Sequence, residues 1–358
     1  MPISATDCIS LAFEHTKRQL FRPFRFGQWV RLALVGLLAG ELGSGGNLNF
    51  SQRSNQSGSI PALGDIFHKI DPAILASLIT IIVITAIVLI VVMAYISSVM
   101  RFILFDSVLT KECHIRAGWR GRQEHGWRYF LWQLGLMLVT FAGMLVLIGG
   151  PAAFAFGMGW FQTPRAHIAP LVMTGIFVLI LFLGYMIGIA LIHVLTKDFV
   201  IPQMAFEGIG ALEAWRRLWP MIQSEMNSYA AYIGMKIVLS IVAGIAIGIV
   251  AVILALIVAV PIIGAVVAAV IAAKSAGLTW NVLTITAAVV AGCVVLLIFF
   301  FLVSLISVPV IVFFPAYSIY FFAARYRPLS VALYSPVPQA AVPQGATPPF
   351  TPPPLPAM

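Results

Sequence analysis

Five long apolar runs constrain this chain most, because each is long enough to cross a lipid bilayer as a single helix. A spanning helix needs about 20 mostly apolar residues. Only 9% of the 358 residues are charged, against about 25% in a typical soluble domain. The sequence therefore predicts an all-α integral membrane protein. The five runs are Ile74–Val99, Tyr129–Gly149, Ala169–Val194, Tyr229–Val258 and Leu283–Val308.

A sixth and shorter apolar run, Trp29–Leu42, precedes these five. It is marginal alone, and we assign it as the first span because an odd number of spans would break the charge distribution. Cytoplasmic segments of membrane proteins are enriched in Lys and Arg. With six spans, seventeen Lys and Arg side chains fall on one side and four on the other. We therefore predict a six-transmembrane helical bundle in the cytoplasmic (inner) membrane, multi-pass, with both termini in the cytoplasm.

Three regions follow from this topology. Residues 1–28 form a basic, amphipathic cytoplasmic segment, residues 29–327 form the membrane domain, and residues 328–358 form a Pro-rich, uncharged tail that we expect to be disordered. The apolar stretch 260–277 is interrupted by Pro261, Gly264 and Lys274. It could be a re-entrant helix, a surface helix or an extension of the fifth span.

A weak internal repeat relates the segments that precede two of the hairpins. Phe102–Arg120 resembles Phe199–Arg216 when one gap is allowed, and both end in Trp-Arg. Asp7–Trp29 has a similar pattern. The pattern favours three pseudo-repeated units, each a cytoplasmic interfacial helix followed by a two-span hairpin.

The clearest amphipathic segment is Val200–Ile222, in which apolar side chains recur at helical spacing and Glu213 and Arg217 form an i, i+4 pair. Such a helix is either a lipid-sensing or partner-docking surface, or a structural connector packed on the bundle floor. Tryptophan rings prefer the headgroup level, and Arg side chains there attract anionic lipid. The predicted lipid-interface residues are Trp29, Trp119, Arg120, Trp215, Arg216, Arg217 and Trp219.

Glycines four residues apart occur three times within the spans. Such pairs let another helix approach closely in a membrane. They favour packing within the chain, with homodimerisation and chance occurrence as alternatives. The predicted helix-packing residues are Gly36, Gly40, Gly184, Gly188, Gly244 and Gly248.

The sequence contains no motif that carries known chemistry. Its His and Cys residues lack metal-ligand spacing, so we predict no metal and no cofactor. Asp198 is interpreted as a solvated cytoplasmic carboxylate, Glu41 as facing the outer solvent, and Lys236 as reaching the inner surface. The spans then contain no interior carboxylate, which argues against a proton-coupled transporter. The basic residues flank spans, which argues against nucleic acid as a partner.

Four short motifs resemble those of bacterial six-span membrane proteins of unknown function. They are Phe21–Phe24 with Trp29, Trp119–Arg120, Trp215–Arg216 and Arg325–Leu329. The pattern is similar to the membrane domain that precedes some glycerophosphodiester phosphodiesterases. Their catalytic domain has no counterpart in this sequence, so the resemblance implies a membrane-domain function and no catalytic residue.

Three functional hypotheses remain open. The first is a non-enzymatic scaffold or accessory factor, acting in envelope or lipid homeostasis, whose partners are anionic lipids of the cytoplasmic leaflet and a second copy or another membrane protein. The second is a transporter or channel for a neutral or amphipathic solute. The third is an enzyme that modifies lipid headgroups.

Overall fold

The computed structural model describes residues 4–41, 72–161, 167–275 and 282–334, and this part of the chain is helical and without strands. One π-helical turn covers Thr196–Val200. The helices, in chain order, are α1 (Asp7–Phe21), α2 (Phe26–Leu38), α3 (Pro72–Thr110), α4 (Ile115–Gly157), α5 (Ile168–Leu195), α6 (Ile201–Glu207), α7 (Ala211–Ser224), α8 (Met226–Ser275), α9 (Val282–Ala323) and α10 (Arg327–Tyr334).

Five of these helical segments are long and apolar enough to cross a membrane: α3, α4, α5 with its continuation to Glu207, α8 and α9. They contain the five long runs of the sequence, so the prediction of an all-helical membrane protein is confirmed. Helix α2 has 13 residues, about 20 Å of helix, and is shorter than the bilayer core of about 30 Å. A sixth span formed by Trp29–Leu42 therefore stays a prediction.

Helix α8 decides between the alternatives for stretch 260–277. It runs without interruption from Met226 to Ser275, with Pro261 inside it. As far as Ser275, this stretch is an extension of the fifth predicted span. Residues 328–334, predicted as the start of a disordered tail, instead belong to helix α10, and Leu329 of this helix is buried. Residues 335–358 and the polar loop Gly43–Gly58 lie outside the described residues.

The long helices pack together at one end of the molecule. On α3, the buried side chains lie between Ser98 and Val108, whereas Ile81 and its neighbours are exposed. On α9, the buried side chains begin at Val303. We call this packed end the base; it contains α1, α2, α6, α7, and the adjoining ends of α3, α4, α8 and α9. The exposed apolar surface of the long helices suits contact with lipid.

An aromatic cluster holds three of the long segments together at the base. The ring of Phe199 lies 5.2–5.9 Å from the rings of Tyr229, Tyr232, Phe321 and Phe322. Each such pair stabilises a fold by about 0.5–1.5 kcal/mol beyond the area it buries. Phe199 therefore fixes the end of the α5 segment against α8 and α9.

The amphipathic segment Val200–Ile222 is not one helix, because the chain breaks between α6 and α7. Gly208 ends α6 with φ +68°, a left-handed conformation that glycine adopts without steric cost. Lys111 ends α3 in the same way, with φ 61°. Both breaks follow a phenylalanine, Phe199 or Phe102, by nine residues. The two segments of the weak repeat, Phe102–Arg120 and Phe199–Arg216, thus share a helix–break–helix form. The threefold repeat stays a prediction.

Candidate functional site: a buried charge cluster and a basic groove

Five charged side chains from four segments meet inside the base. Lys197 forms an ion pair with Glu41, and Lys236 forms one with Asp198. The carboxylate side chains of Glu41 and Asp198 are only 3% and 4% exposed. Arg101 of α3 completes this set. We call Glu41, Arg101, Lys197, Asp198 and Lys236 the charge cluster.

Local structure explains how Glu41 and Arg101 reach the cluster. Gly40, with φ +77°, follows the end of α2 and turns Glu41 inward. The guanidinium of Arg101 donates to the carbonyl oxygen of Ala39 at 3.1 Å and to the hydroxyl of Tyr129 at 2.8 Å. The amine of Lys197 contacts the Glu41 carboxylate inside the base.

These positions correct three interpretations of the sequence. Asp198 is buried, not solvated, and accepts a hydrogen bond from the Tyr232 hydroxyl at 2.9 Å. Lys236 pairs with Asp198, so its amine does not reach for the membrane surface. Glu41 pairs with Lys197 and does not face solvent. The partners are 38 and 156 residues apart in sequence. The periodicity of a single helix therefore could not predict that they pair.

A small cavity of ≈ 30 Å³ opens beside the cluster. This is room for one or two particles the size of water. Among the described residues, the cluster holds three cationic side chains and two carboxylates. The cavity is lined by Glu41, Arg101, Leu104, Phe105, Lys197, Asp198, Ile201, Pro202, Pro315 and Ser318.

A second polar feature is an open groove of ≈ 770 Å³ between α2 and the start of α4. Arg31 enters it from α2, and Arg116 and Arg120 from α4. We call this the basic groove; His114, Ile115 and Ala117 complete its lining. Within the described part of the chain, none of the three arginines forms an ion pair with a carboxylate.

The nearby carboxylates are already paired. Glu112 contacts His114 at 3.1 Å, and Glu124 pairs with Arg128 at 2.7 Å. Neither carboxylate forms an ion pair with Arg31, Arg116 or Arg120. An oxyanion such as a phosphate is the ligand that guanidinium groups bind best.

Exposed apolar side chains lie further along the helix faces that carry the groove arginines. Trp127 lies eleven residues after Arg116, and Leu131 eleven after Arg120, which places each pair on one face of α4. Trp127 and Leu131 are 50% and 49% exposed. On α2, exposed Leu34 follows Arg31 by three residues. The charged and apolar surfaces together match the two parts of a phospholipid.

The predicted lipid-interface tryptophans fall into two groups. Trp29 and Trp215 are half-buried and donate hydrogen bonds within the base, to the Leu305 carbonyl at 2.8 Å and the Thr196 hydroxyl at 3.0 Å. Trp119, also half-buried, packs edge-on against Tyr95. Trp219 is 53% exposed.

The three predicted interface arginines also differ. Arg120 lines the basic groove. Arg217 pairs with Glu207 and with Glu213. Arg216 is exposed and has no ion-pair partner among the residues that the structure describes.

The predicted packing glycines also lie in different surroundings. A Cβ at Gly36 would lie 2.6 Å from Ile311, so this glycine allows α2 to approach α9 closely. Gly40 ends α2 in a left-handed conformation. Gly184, Gly188 and Gly248 have open space where a Cβ would lie, and Gly244 is half-buried. A role for these glycines in helix packing stays a prediction.

The described residues contain no group of three His, Cys, Asp or Glu side chains arranged to hold a metal ion. No curated protein and no solved structure matches the chain. One family does, and the match covers residues 3–332. The helices of the base, the charge cluster and the basic groove all lie within it. The chain belongs to a family of unknown function, DUF7544.

Proposed function

We propose that this protein is a non-enzymatic, multi-pass protein of the cytoplasmic membrane that binds anionic phospholipid at its base. In this proposal the base faces the cytoplasm, and the protein serves as a scaffold or accessory factor in envelope or lipid homeostasis. The observation that carries the proposal is the basic groove: among the described residues its Arg31, Arg116 and Arg120 have no carboxylate partner, and exposed apolar side chains lie further along the same helix faces.

The chemistry of the groove suits a lipid headgroup. Arginine binds phosphate through two parallel hydrogen bonds, and each basic side chain near an anionic membrane contributes about 1 kcal/mol. Exposed Trp127 and Leu131 would lie beside the acyl chains of the same lipid. A resemblance to membrane domains that accompany glycerophosphodiester phosphodiesterases is in keeping with a role close to phospholipid.

Helix α7 offers a second surface of the same kind. Leu212, Arg216 and Trp219 follow i, i+4, i+7 spacing, and all three side chains are exposed. A helix face with one cation between two apolar groups can lie in the headgroup region. This face supports the proposal that the base touches the membrane surface at more than one place.

The test compares two matched double variants of the full chain in detergent. Arg116→Gln with Arg120→Gln removes two groove charges, and Lys17→Gln with Arg327→Gln removes two exposed charges elsewhere on the base. Retention of phosphatidylglycerol and of phosphatidylcholine is measured by native mass spectrometry. The groove variant should lose roughly 30-fold in phosphatidylglycerol affinity, corresponding to about 2 kcal/mol. The control variant should lose little.

Two outcomes would contradict the proposal. Equal losses in both variants would mean that phosphatidylglycerol responds to net charge only. Equal retention of the two lipids by the unaltered protein would mean that the groove does not select anionic headgroups. Addition of glycerol phosphate distinguishes a headgroup site from a lipid site, because a lipid that also uses Trp127 and Leu131 should not be displaced by it.

The charge cluster favours a second candidate function, a transporter or channel. Charged side chains within long apolar helices are costly and commonly mark solute or ion pathways. Asp198 and Lys236 belong to two such helical segments. Swelling of proteoliposomes in glycerol and in erythritol tests this candidate. Uptake that depends on Asp198, and disappears in Asp198→Asn, would favour a pathway over a scaffold.

A further inference from the structure

We infer that the charge cluster is a binding site for one small monovalent anion, of the size of chloride, held beside Arg101. This inference concerns the interior of the base and does not depend on lipid binding at the basic groove. It rests on three observations: the charge balance of the cluster, the bonding of Arg101, and the size of the cavity.

Among the residues that the structure describes, the charge balance of the cluster leaves one positive charge in excess. Two lysines are matched by two carboxylates, as Lys197 with Glu41 and Lys236 with Asp198. Arg101 is the fifth charge, and within the described residues it has no carboxylate at ion-pair distance. A net charge in a buried site is costly unless a counter-charge accompanies it.

The guanidinium of Arg101 is held by neutral oxygen atoms. Its Nε–H bonds to the Ala39 carbonyl and one Nη–H group to the Tyr129 hydroxyl. Its Nη2 makes no hydrogen bond within the part of the chain that the structure describes. The guanidinium is thus fixed in direction, with donors left for a ligand in the cavity.

The cavity determines which ligand can occupy it. A volume of ≈ 30 Å³ accepts one or two water-sized particles. A halide ion is of this size, whereas sulfate, phosphate and a lipid headgroup are larger. Arg101 and Lys197 supply the donors on the walls. Glu41 and Asp198 line the same cavity, each bound to its own lysine, so a divalent anion is disfavoured on charge as well as on size.

The experiment measures the melting temperature of the full chain in a neutral detergent, in sodium chloride, bromide, sulfate and gluconate at equal ionic strength. An ion that binds only the folded state raises that temperature. Chloride and bromide should raise it by roughly 2–4 °C over gluconate. Sulfate stabilises folded proteins by exclusion from their surface, so any sulfate effect should be the same in Arg101→Gln as in the unaltered protein.

Three variants make the test specific. Arg101→Gln should abolish the halide effect, because it removes the excess charge. Glu41→Gln should enlarge the halide effect, because the excess of positive charge in the cluster rises by one. Asp106→Asn is the control. It removes a carboxylate from an ion pair with Arg122 outside the cluster, and should leave the halide effect unchanged.

Equal melting temperatures in chloride and gluconate for the unaltered protein would overturn the inference. So would a halide effect that is undiminished in Arg101→Gln. If Arg101→Gln fails to fold, Glu41→Gln decides, since a smaller or unchanged halide effect in that variant contradicts an anion held by excess positive charge.

Discussion

At the scale of single residues, His15 connects three helices. Its Nε2 lies 2.9 Å from the carbonyl oxygen of Val108, and its Nδ1 lies 3.2 Å from the hydroxyl of Tyr320. A carbonyl can only accept, so Nε2 carries the proton and Nδ1 accepts from Tyr320. The neutral imidazole therefore satisfies both bonds, and it ties α1 to α3 and α9.

This bonding predicts that the protein loses stability in mild acid. Burial lowers the pKa of His15 and outweighs the Val108 hydrogen bond, which raises it; the nearby cations Lys111 and Arg18 lower it further. In the unfolded chain, histidine titrates near pH ~6.5. Unfolding then takes up a proton, so stability is full above about pH 6.5 and falls as the pH drops towards the lower folded pKa.

The measurement is the melting temperature between pH 7.5 and pH 5. His15→Gln should lower the melting temperature at pH 7.5 and remove part of its decline in acid. His114→Gln is the control, because His114 is exposed and contacts only Glu112. An identical acid decline in the unaltered protein and in His15→Gln would contradict this role.

Residue environments were the least predictable feature of the sequence. From their neighbours in sequence, Asp198 is expected to be solvated and the amine of Lys236 is expected to reach the membrane surface. Their burial depends on α5 and α8 meeting at the aromatic cluster around Phe199, a tertiary contact that no local pattern records. The excess charge at Arg101 was missed for the same reason.

At the scale of secondary-structure elements, α7 behaves as a structural connector on its inner face. Ala211, Ala214 and Leu218 are buried there, and Trp215 donates to Thr196. Periodicity predicted one amphipathic helix over Val200–Ile222. It did not reveal the break at Gly208, and the break gives Trp215 and Trp219 different surroundings.

The two tryptophans should therefore respond differently to substitution. Trp215→Ala removes half-buried ring surface and a hydrogen bond, and should destabilise the base by about 2 kcal/mol. Trp219→Ala changes an exposed ring and should stay within about 0.5 kcal/mol of the unaltered protein. Melting temperature and protease cleavage between α6 and α7 measure both effects. Equal destabilisation by the two variants would mean that Trp219 is also packed on the base.

At the scale of the whole molecule, the long spans were predictable and the base was not. Lipid solvation requires about 20 apolar residues in succession, a signal that lies within one stretch of sequence. The base is built from short, polar and aromatic segments whose partners are distant in sequence. Helix α2 illustrates the difference: its composition predicts a span, and only the folded structure brings Ile311 and Arg101 against it and its C-terminal end.

The arrangement of the base predicts the topology of the chain. Helix α1 contacts the ends of α3 and α9 through His15, and α10 follows α9, so both described ends of the chain lie at the base. Helix α3 ends at the base with Thr110 and therefore begins at the far end with Pro72. If the base faces the cytoplasm, as the excess of Lys and Arg indicates, Pro72 lies at the outer face of the membrane.

Reporter fusions test this topology with alkaline phosphatase, active outside, and a fluorescent protein, active inside. Fusions after Gly58 and after Pro164 should report the outer compartment, because each precedes a helix that runs towards the base. Fusions after Arg122, Glu213 and Met358 should report the cytoplasm.

The decisive comparison is Gly58 with Arg122, since these positions lie on either side of α3. The same report from both would mean that α3 does not cross the membrane or that the base does not face the cytoplasm. Arg122 and Glu213 serve as mutual controls, because both lie at the base.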